Sequence, residues 1–220
     1  MMAARAVFDR SEVPTVLSGQ ETVNNGRQVV RTYNRKRRDY QVRLLPGGSY
    51  VTAARDEVIV TVLGSCVAAC VRDPRSGFGG MNHFMLPENE TGDWNGISAS
   101  LRYGNHAMES LINSVLKSGC AREDLEIKLF GGANLYQGVT LVGEKNAEFT
   151  RNYLKKEMLV VEAEDLGGPW GRRIHYEPAT GRVQRLLLKH KLDATVVRAE
   201  RKYETDLHRA NIDGGIELFD

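Results

Sequence analysis

Five of the six residues in Val58-Ile-Val-Thr-Val-Leu63 are β-branched, and the run ends on Gly64-Ser65. Side chains branched at Cβ are stiff at χ1 and pack well on a pleated surface, so a run this short and apolar predicts a buried strand closed by a turn. The residues that follow, Cys66-Val-Ala-Ala-Cys-Val71, predict the opening turns of a helix with Cys66 at its N-terminus. A thiol there meets free backbone N–H groups and the positive end of the helix dipole, which favour its thiolate. The same N–H groups, at Ser65 and Cys66, could hold an oxyanion. Taken by itself, though, a cysteine in an apolar run also fits a small buried hydrophobe.

The rest of the chain places this strand in a sheet. Strand-like runs at Tyr40–Leu45 and Ser49–Ala54 precede it, and an apolar run through Phe78–Leu86 follows. Leu101, Met108, Leu111, Ile112, Val115 and Leu116 form a helical stripe that ends at Lys117-Ser-Gly119, with the glycine suited to a helix C-terminus. A strand at Leu125–Phe130, a helix over Glu144–Lys156 and a strand over Met158–Glu164 come next. Arg173–Tyr176 and Arg182–Leu188 flank Pro178-Ala-Thr-Gly181, which has the residues of a hairpin turn. The polar stretch Glu88–Gly96 predicts a loop able to flank or cover a site. The fold expected is a single α/β (α+β) domain, a mixed and largely antiparallel sheet packed by helices, with the cysteine at a strand-to-helix junction. Residues 1–39 predict a flexible basic tail containing Arg35-Lys-Arg-Arg38, residues 40–190 the domain, and residues 191–220 a charged helical extension with Leu192, Val196, Tyr203 and Leu207 on one face.

At 220 residues with 41% hydrophobic content the chain can fill one core. A net charge of +2 gives no argument for nucleic acid, and 5 histidines are too scattered for a dedicated metal protein. Three cysteines, without a cleavable apolar N-terminus or a membrane-length run, point to a reducing cytoplasm rather than a disulfide scaffold or membrane insertion.

A second reactive group stands seventeen residues after the cysteine, in Gly79-Gly-Met-Asn-His83-Phe-Met-Leu-Pro87. A strand over this segment, antiparallel to Val58–Leu63, would bring His83 beside Cys66 as its base. Cys70 opens a zinc alternative, since i and i+4 share a helix face and Cys120 with a histidine could complete four ligands. The spacing lacks the tight knuckles of structural zinc sites, and no Cys-X-X-Cys redox motif is present. Cys70 and Cys120 read as structural.

Several blocks in order resemble the chemoreceptor glutamine deamidases of the CheD family. They are Thr61-Val-Leu-Gly-Ser-Cys66-Val-Ala-Ala-Cys-Val-Arg-Asp-Pro74, the Gly79–Pro87 segment, Arg102-Tyr-Gly-Asn-His-Ala-Met-Glu109, Lys128-Leu-Phe-Gly-Gly-Ala133, Gly143-Glu-Lys-Asn-Ala-Glu-Phe149, Asp165-Leu-Gly-Gly168 and Pro178-Ala-Thr-Gly-Arg182. The resemblance spans about Tyr40 to Lys189. It implies Cys66 as nucleophile, His83 as general base and acid, and Thr61 as the third member, with no metal and no cofactor. It implies as substrate the cytoplasmic helical bundle of methyl-accepting chemotaxis receptors, whose glutamines become glutamates and thus methylation sites. Receptor methylesterase activity is a possible second reaction. An adaptor that docks on receptors or on a CheC-type phosphatase is the rival from another class, and turnover of free glutamine would mark an unrelated cysteine hydrolase.

Overall fold

The computed structural model describes residues 21–24, 27–86, 94–135, 142–189 and six positions between 198 and 206. One sheet has the order β1 (Glu21–Asn24), β2 (Arg27–Asn34), β3 (Asp39–Leu44), β5 (Glu57–Leu63), β10 (Gly171–Glu177), β11 (Arg182–Leu188), antiparallel except for the β3–β5 pair. The second has the order β4 (Ser49–Thr52), β7 (Gly79–Asn82), β6 (Val67–Arg72), β8 (Glu126–Gly131), β9 (Ala163–Leu166), with β8–β9 the parallel pair. Among the described residues the two long helices, α1 (Trp94–Leu116) and α2 (Val142–Lys156), complete an α+β domain with mixed, mostly antiparallel sheets.

Two apolar clusters show how the layers stack. Val29, Val42, Leu44, Ile59 and Leu63 of the first sheet meet Ala68, Cys70 and Met81 of the second. On the other face of the second sheet, Val67, Ala69, Val71 and Leu129 meet Met108, Leu111, Ile112 and Val115 of α1 and Leu154 of α2. The second sheet is therefore the middle layer. Because side chains alternate across a strand, Val67, Ala69 and Val71 serve one cluster while Ala68 and Cys70 serve the other.

That double burial explains the main departure from the sequence reading: Val67–Arg72 is a strand, so Cys66 stands at a strand-to-strand junction rather than at a helix N-terminus. A continuous apolar run suits a buried helix or a strand covered on both faces, and its periodicity does not separate them. Here β7 and β8 pair with both edges of the run, leaving its backbone satisfied within the sheet.

The expected tail is also partly structured. Glu21–Asn24 and Arg27–Asn34 are strands, and Arg35–Arg38 is the turn of the β2–β3 hairpin, where Asn34 Oδ1 accepts the N–H groups of Lys36 and Arg37. Val29 is fully buried, and Arg31 pairs with Glu57 at 2.7 Å while lying 3.5 Å from the Tyr40 ring centroid. The charges hid a strand whose Arg31 is neutralised by a buried carboxylate and stacked on an aromatic ring. The strand expected over Met158–Glu164 begins only at Ala163, because Met158 adopts φ +55 at the end of α2 and, with Val160, faces solvent. Trp94–Gly96, read as loop, opens α1, and the rest of that lid candidate lies outside the described residues, as do Leu192, Val196 and Leu207. No helix among the described residues is long and apolar enough to cross a membrane.

Candidate active site

The loop Gly64-Ser-Cys66 carries the chain from the first sheet to the second, and each of its backbone groups is accounted for. All three carbonyls point away from the site: Gly64 O accepts from Ala133 N at 2.8 Å, Ser65 O from Asn146 Nδ2 at 2.9 Å, and Cys66 O from Gly132 N at 2.8 Å. The three N–H groups are left to converge on the opposite side, forming a nest suited to an anion. They donate to the carboxylate of Glu200, from Gly64 N at 2.7 Å, Ser65 N at 3.1 Å and Cys66 N at 3.4 Å, and Ser65 Oγ adds a fourth bond at 3.1 Å. The N–H groups of Ser65 and Cys66, expected at a helix N-terminus, thus converge with that of Gly64 through loop geometry rather than along a helix dipole.

Two glycines make this geometry feasible. A Cβ on Gly64 would sit 2.5 Å from Glu200 Oε2, so only glycine admits an anion that close. Gly131 stands at φ +115, and a Cβ there would sit 2.2 Å from Cys66 O. It lets β8 brace the loop.

His83 reaches the site from the second sheet. The segment after β7 does not pair with β5, as the sequence suggested; β7 lies between β4 and β6, and His83 crosses the interlayer space instead. Its backbone is pinned on both sides, with His83 N donating to Gly48 O at 2.9 Å and Gly47 N donating to His83 O at 2.6 Å. On β5, Ile59, Thr61 and Leu63 share the inward face, so the residue five before the cysteine points into the site.

The Thr61 hydroxyl has one proton, which it donates to Leu44 O at 2.9 Å. Its 2.8 Å contact with His83 Nδ1 is then one in which Nδ1–H donates to Thr61 Oγ1, and this network assigns the tautomer with a bare Nε2. That Nε2 is buried and has no hydrogen bond among the described residues. Burial, opposed by the Leu44 carbonyl, holds the His83 pKa down at about 3, so the imidazole is neutral at neutral pH. One ring nitrogen, Cys66 Sγ and a Glu200 carboxylate oxygen lie within 4.8 Å of one another.

The other two thiols sit apart from this chemistry. Cys70 is packed between the sheets, where burial raises its pKa far above the ordinary thiol value. Cys120 lies in the helix-side cluster, its pKa pushed up to about 11 by burial and then by Asp73. Among the described residues, the group able to gather metal-ligating atoms is Cys66, His83 and Glu200, so the zinc alternative built on Cys70 and Cys120 does not assemble.

Sequence reasoning missed two residues at this site. Asn146 is fully buried and ties the Gly64–Cys66 loop to the histidine segment, since its Oδ1 also accepts Leu86 N at 2.9 Å. Glu200 had a legible signal: it stands four residues after Val196 and three before Tyr203, a charge set into the apolar face of the C-terminal segment.

Fold and site together define a thiol–imidazole centre beside an anion nest, set between the two sheets of an α+β domain. A family profile for CheD chemotactic sensory transduction matches residues 85–186. A probable chemoreceptor glutamine deamidase CheD from Rhodopseudomonas palustris is 48% identical over 191 residues, covering 86% of this chain and 90% of the relative. Relatives of the same name from Hahella chejuensis and Halorhodospira halophila are 47% and 44% identical over 181 and 211 residues, covering 85% and 94% of their own lengths. The chain belongs to the CheD family.

Proposed function

We propose that this chain is a protein-glutamine deamidase acting on methyl-accepting chemotaxis receptors, with Cys66 as nucleophile, His83 as general base and acid, and Thr61 as the residue that orients the imidazole. The observation that carries the reading is the convergence of three consecutive backbone N–H groups beside Cys66 Sγ and a histidine whose free nitrogen is Nε2. The names of the relatives supply the substrate class.

In the first half-reaction His83 Nε2 takes the thiol proton as Cys66 Sγ attacks the side-chain amide carbon of a glutamine. Burial disfavours an isolated imidazolium, so proton uptake is coupled to the charge developing on sulfur and then on the substrate oxygen. The amide oxygen becomes an oxyanion held by the N–H groups of residues 64–66, where one well-aimed donor contributes about 10²–10³ in rate. The C–N bond then breaks, ammonia leaves with the proton from Nε2, and a thioester remains. Water attacks it, His83 takes the water proton, and the C–S bond breaks to give glutamate and free thiol. Each proton transfer contributes roughly 10²–10⁴. A glutamyl methyl ester enters the same sequence with methanol as leaving group, which makes receptor methylesterase activity a side reaction. The protein works in the cytoplasm, and a CheC-type phosphatase is a docking partner.

Incubation of the purified chain with receptor cytoplasmic fragments and, separately, with free glutamine tests this reading. Ammonia release with the fragments alone, matched by the mass gain of individual glutamines becoming acids, is the expected result. A folded chain that binds fragments or phosphatase without converting any glutamine is instead an adaptor.

A further inference from the structure

We propose that Glu200 closes the active site in cis as a product mimic, so that the chain on its own rests in a self-inhibited form. The description as a product rests on the deamidase reading, but the closure itself stands on geometry alone. Deamidation turns a glutamine side chain into a glutamate side chain. Here a glutamate side chain of the same polypeptide lies with its carboxylate on Gly64 N, Ser65 N, Ser65 Oγ and Cys66 N, and within 4.8 Å of Cys66 Sγ and an imidazole nitrogen. These are the donors that an oxyanion or a departing product carboxylate needs.

The segment is built to hold that position. Arg198, Glu200, Lys202, Tyr203, Thr205 and Asp206 are all helical, and of these Glu200 and Tyr203, three apart and hence on one face, are buried while the other four are exposed. Tyr203 packs into the cluster between the sheets, and its hydroxyl hydrogen-bonds that of Tyr103 on α1. Tyr203 anchors the segment and Glu200 fills the nest.

A purely structural role accounts poorly for the choice of residue. Removing a carboxylate from water costs several kcal/mol unless its hydrogen bonds are restored, and an apolar side chain of similar size fills an interlayer gap at least as well. Glu200 is 6% exposed, and its donors are the backbone and hydroxyl groups that face the reactive sulfur. Cys66 is 0% exposed in this arrangement, and a substrate oxygen that seeks the N–H groups of Gly64, Ser65 and Cys66 has to displace the Glu200 carboxylate bonded to them. The apparent affinity for substrate is then reduced by the fraction of chains in which the segment is undocked.

The test compares the full chain with Glu200→Ala and Glu200→Gln by two readouts. The first is iodoacetamide alkylation, mapped residue by residue, with Cys70 and Cys120 as buried references. The expected result is selective acceleration at Cys66, on the order of tenfold or more in Glu200→Ala, since docking divides accessibility by the open fraction. The second is conversion of receptor fragments, in which Glu200→Ala lowers the apparent KM and leaves kcat near that of the parent. Alkylation at Cys66 no faster than in the parent overturns the proposal. So does acceleration shared equally by Cys70 and Cys120, because that reports general unfolding. Selective acceleration with no receptor conversion by any of the three proteins keeps the closure and removes the deamidase reading.

Discussion

Replacing Asn146 with alanine isolates the contribution of the loop brace. The side chain is fully buried and makes two bonds to main chain, from Nδ2 to Ser65 O at 2.9 Å and to Oδ1 from Leu86 N at 2.9 Å. Truncation leaves one carbonyl and one N–H without partners, and each orphaned group costs about 1–3 kcal/mol. Ser65 and Leu86 are only partly buried, which admits water and favours the lower half of that range. A total of about 2–4 kcal/mol follows, and for a domain of this size it lowers Tm by roughly 4–16 °C. Function is hit separately. Without the Asn146 bond, Ser65 O no longer fixes the peptide plane that aims the Cys66 N–H, so kcat falls by about 10²–10³, the contribution of one oxyanion donor. Thermal unfolding and receptor-fragment conversion measured on the same preparation separate the two effects. A variant with parental Tm and parental kcat would refute the view that this loop is held in shape from outside.

Three further outcomes are expected. Thr61→Val removes the acceptor of His83 Nδ1–H, and kcat drops roughly ten- to a hundredfold, part of the 10²–10⁴ that general acid–base help contributes, while Thr61→Ser restores it. His83 has a folded pKa of about 3 against an ordinary 6.5, so between those values the unfolded chain binds more protons. Stability therefore falls as pH drops through that window, by up to about 1.4 kcal/mol per pH unit, and a parental acid-unfolding slope in His83→Gln would contradict this. Glu200→Gln sets an amide in the nest beside Cys66, so that variant slowly gains the mass of an acid at position 200, and the gain is absent when Cys66→Ala is added; a constant mass in both would count against the reacting geometry.

Those parts of the fold whose alternation or turn chemistry is local were legible in the sequence. The β10–β11 hairpin around Pro178–Gly181, the α1 stripe and the existence of β5 as a buried strand all come from local signals. Two things were not legible, and for different reasons. Val67–Val71 is apolar on every side because it is the middle strand of the middle layer, and an unbroken run erases the period that distinguishes strand from helix. Arg27–Asn34 is a strand whose Arg31 is held by Glu57 and the Tyr40 ring, so in sequence its charge resembles a linker although Val29 sits in the core. At the site, Thr61, Cys66 and His83 were named from residues and resemblance, and the structure brings them together by a route the sequence did not suggest, through two sheets stacked face to face. Asn146 and Glu200 meet their partners across 81 and 136 residues of chain; local spacing marks Glu200 as a charge on an apolar face but does not report either set of partners.

The most direct measurement is peptide mass spectrometry of receptor cytoplasmic fragments treated side by side with the parent chain, Cys66→Ala and His83→Ala. The account predicts conversion at specific glutamines by the parent and its loss in both variants, each still folded by thermal melting. Conversion that persists at the parental rate in Cys66→Ala would contradict it.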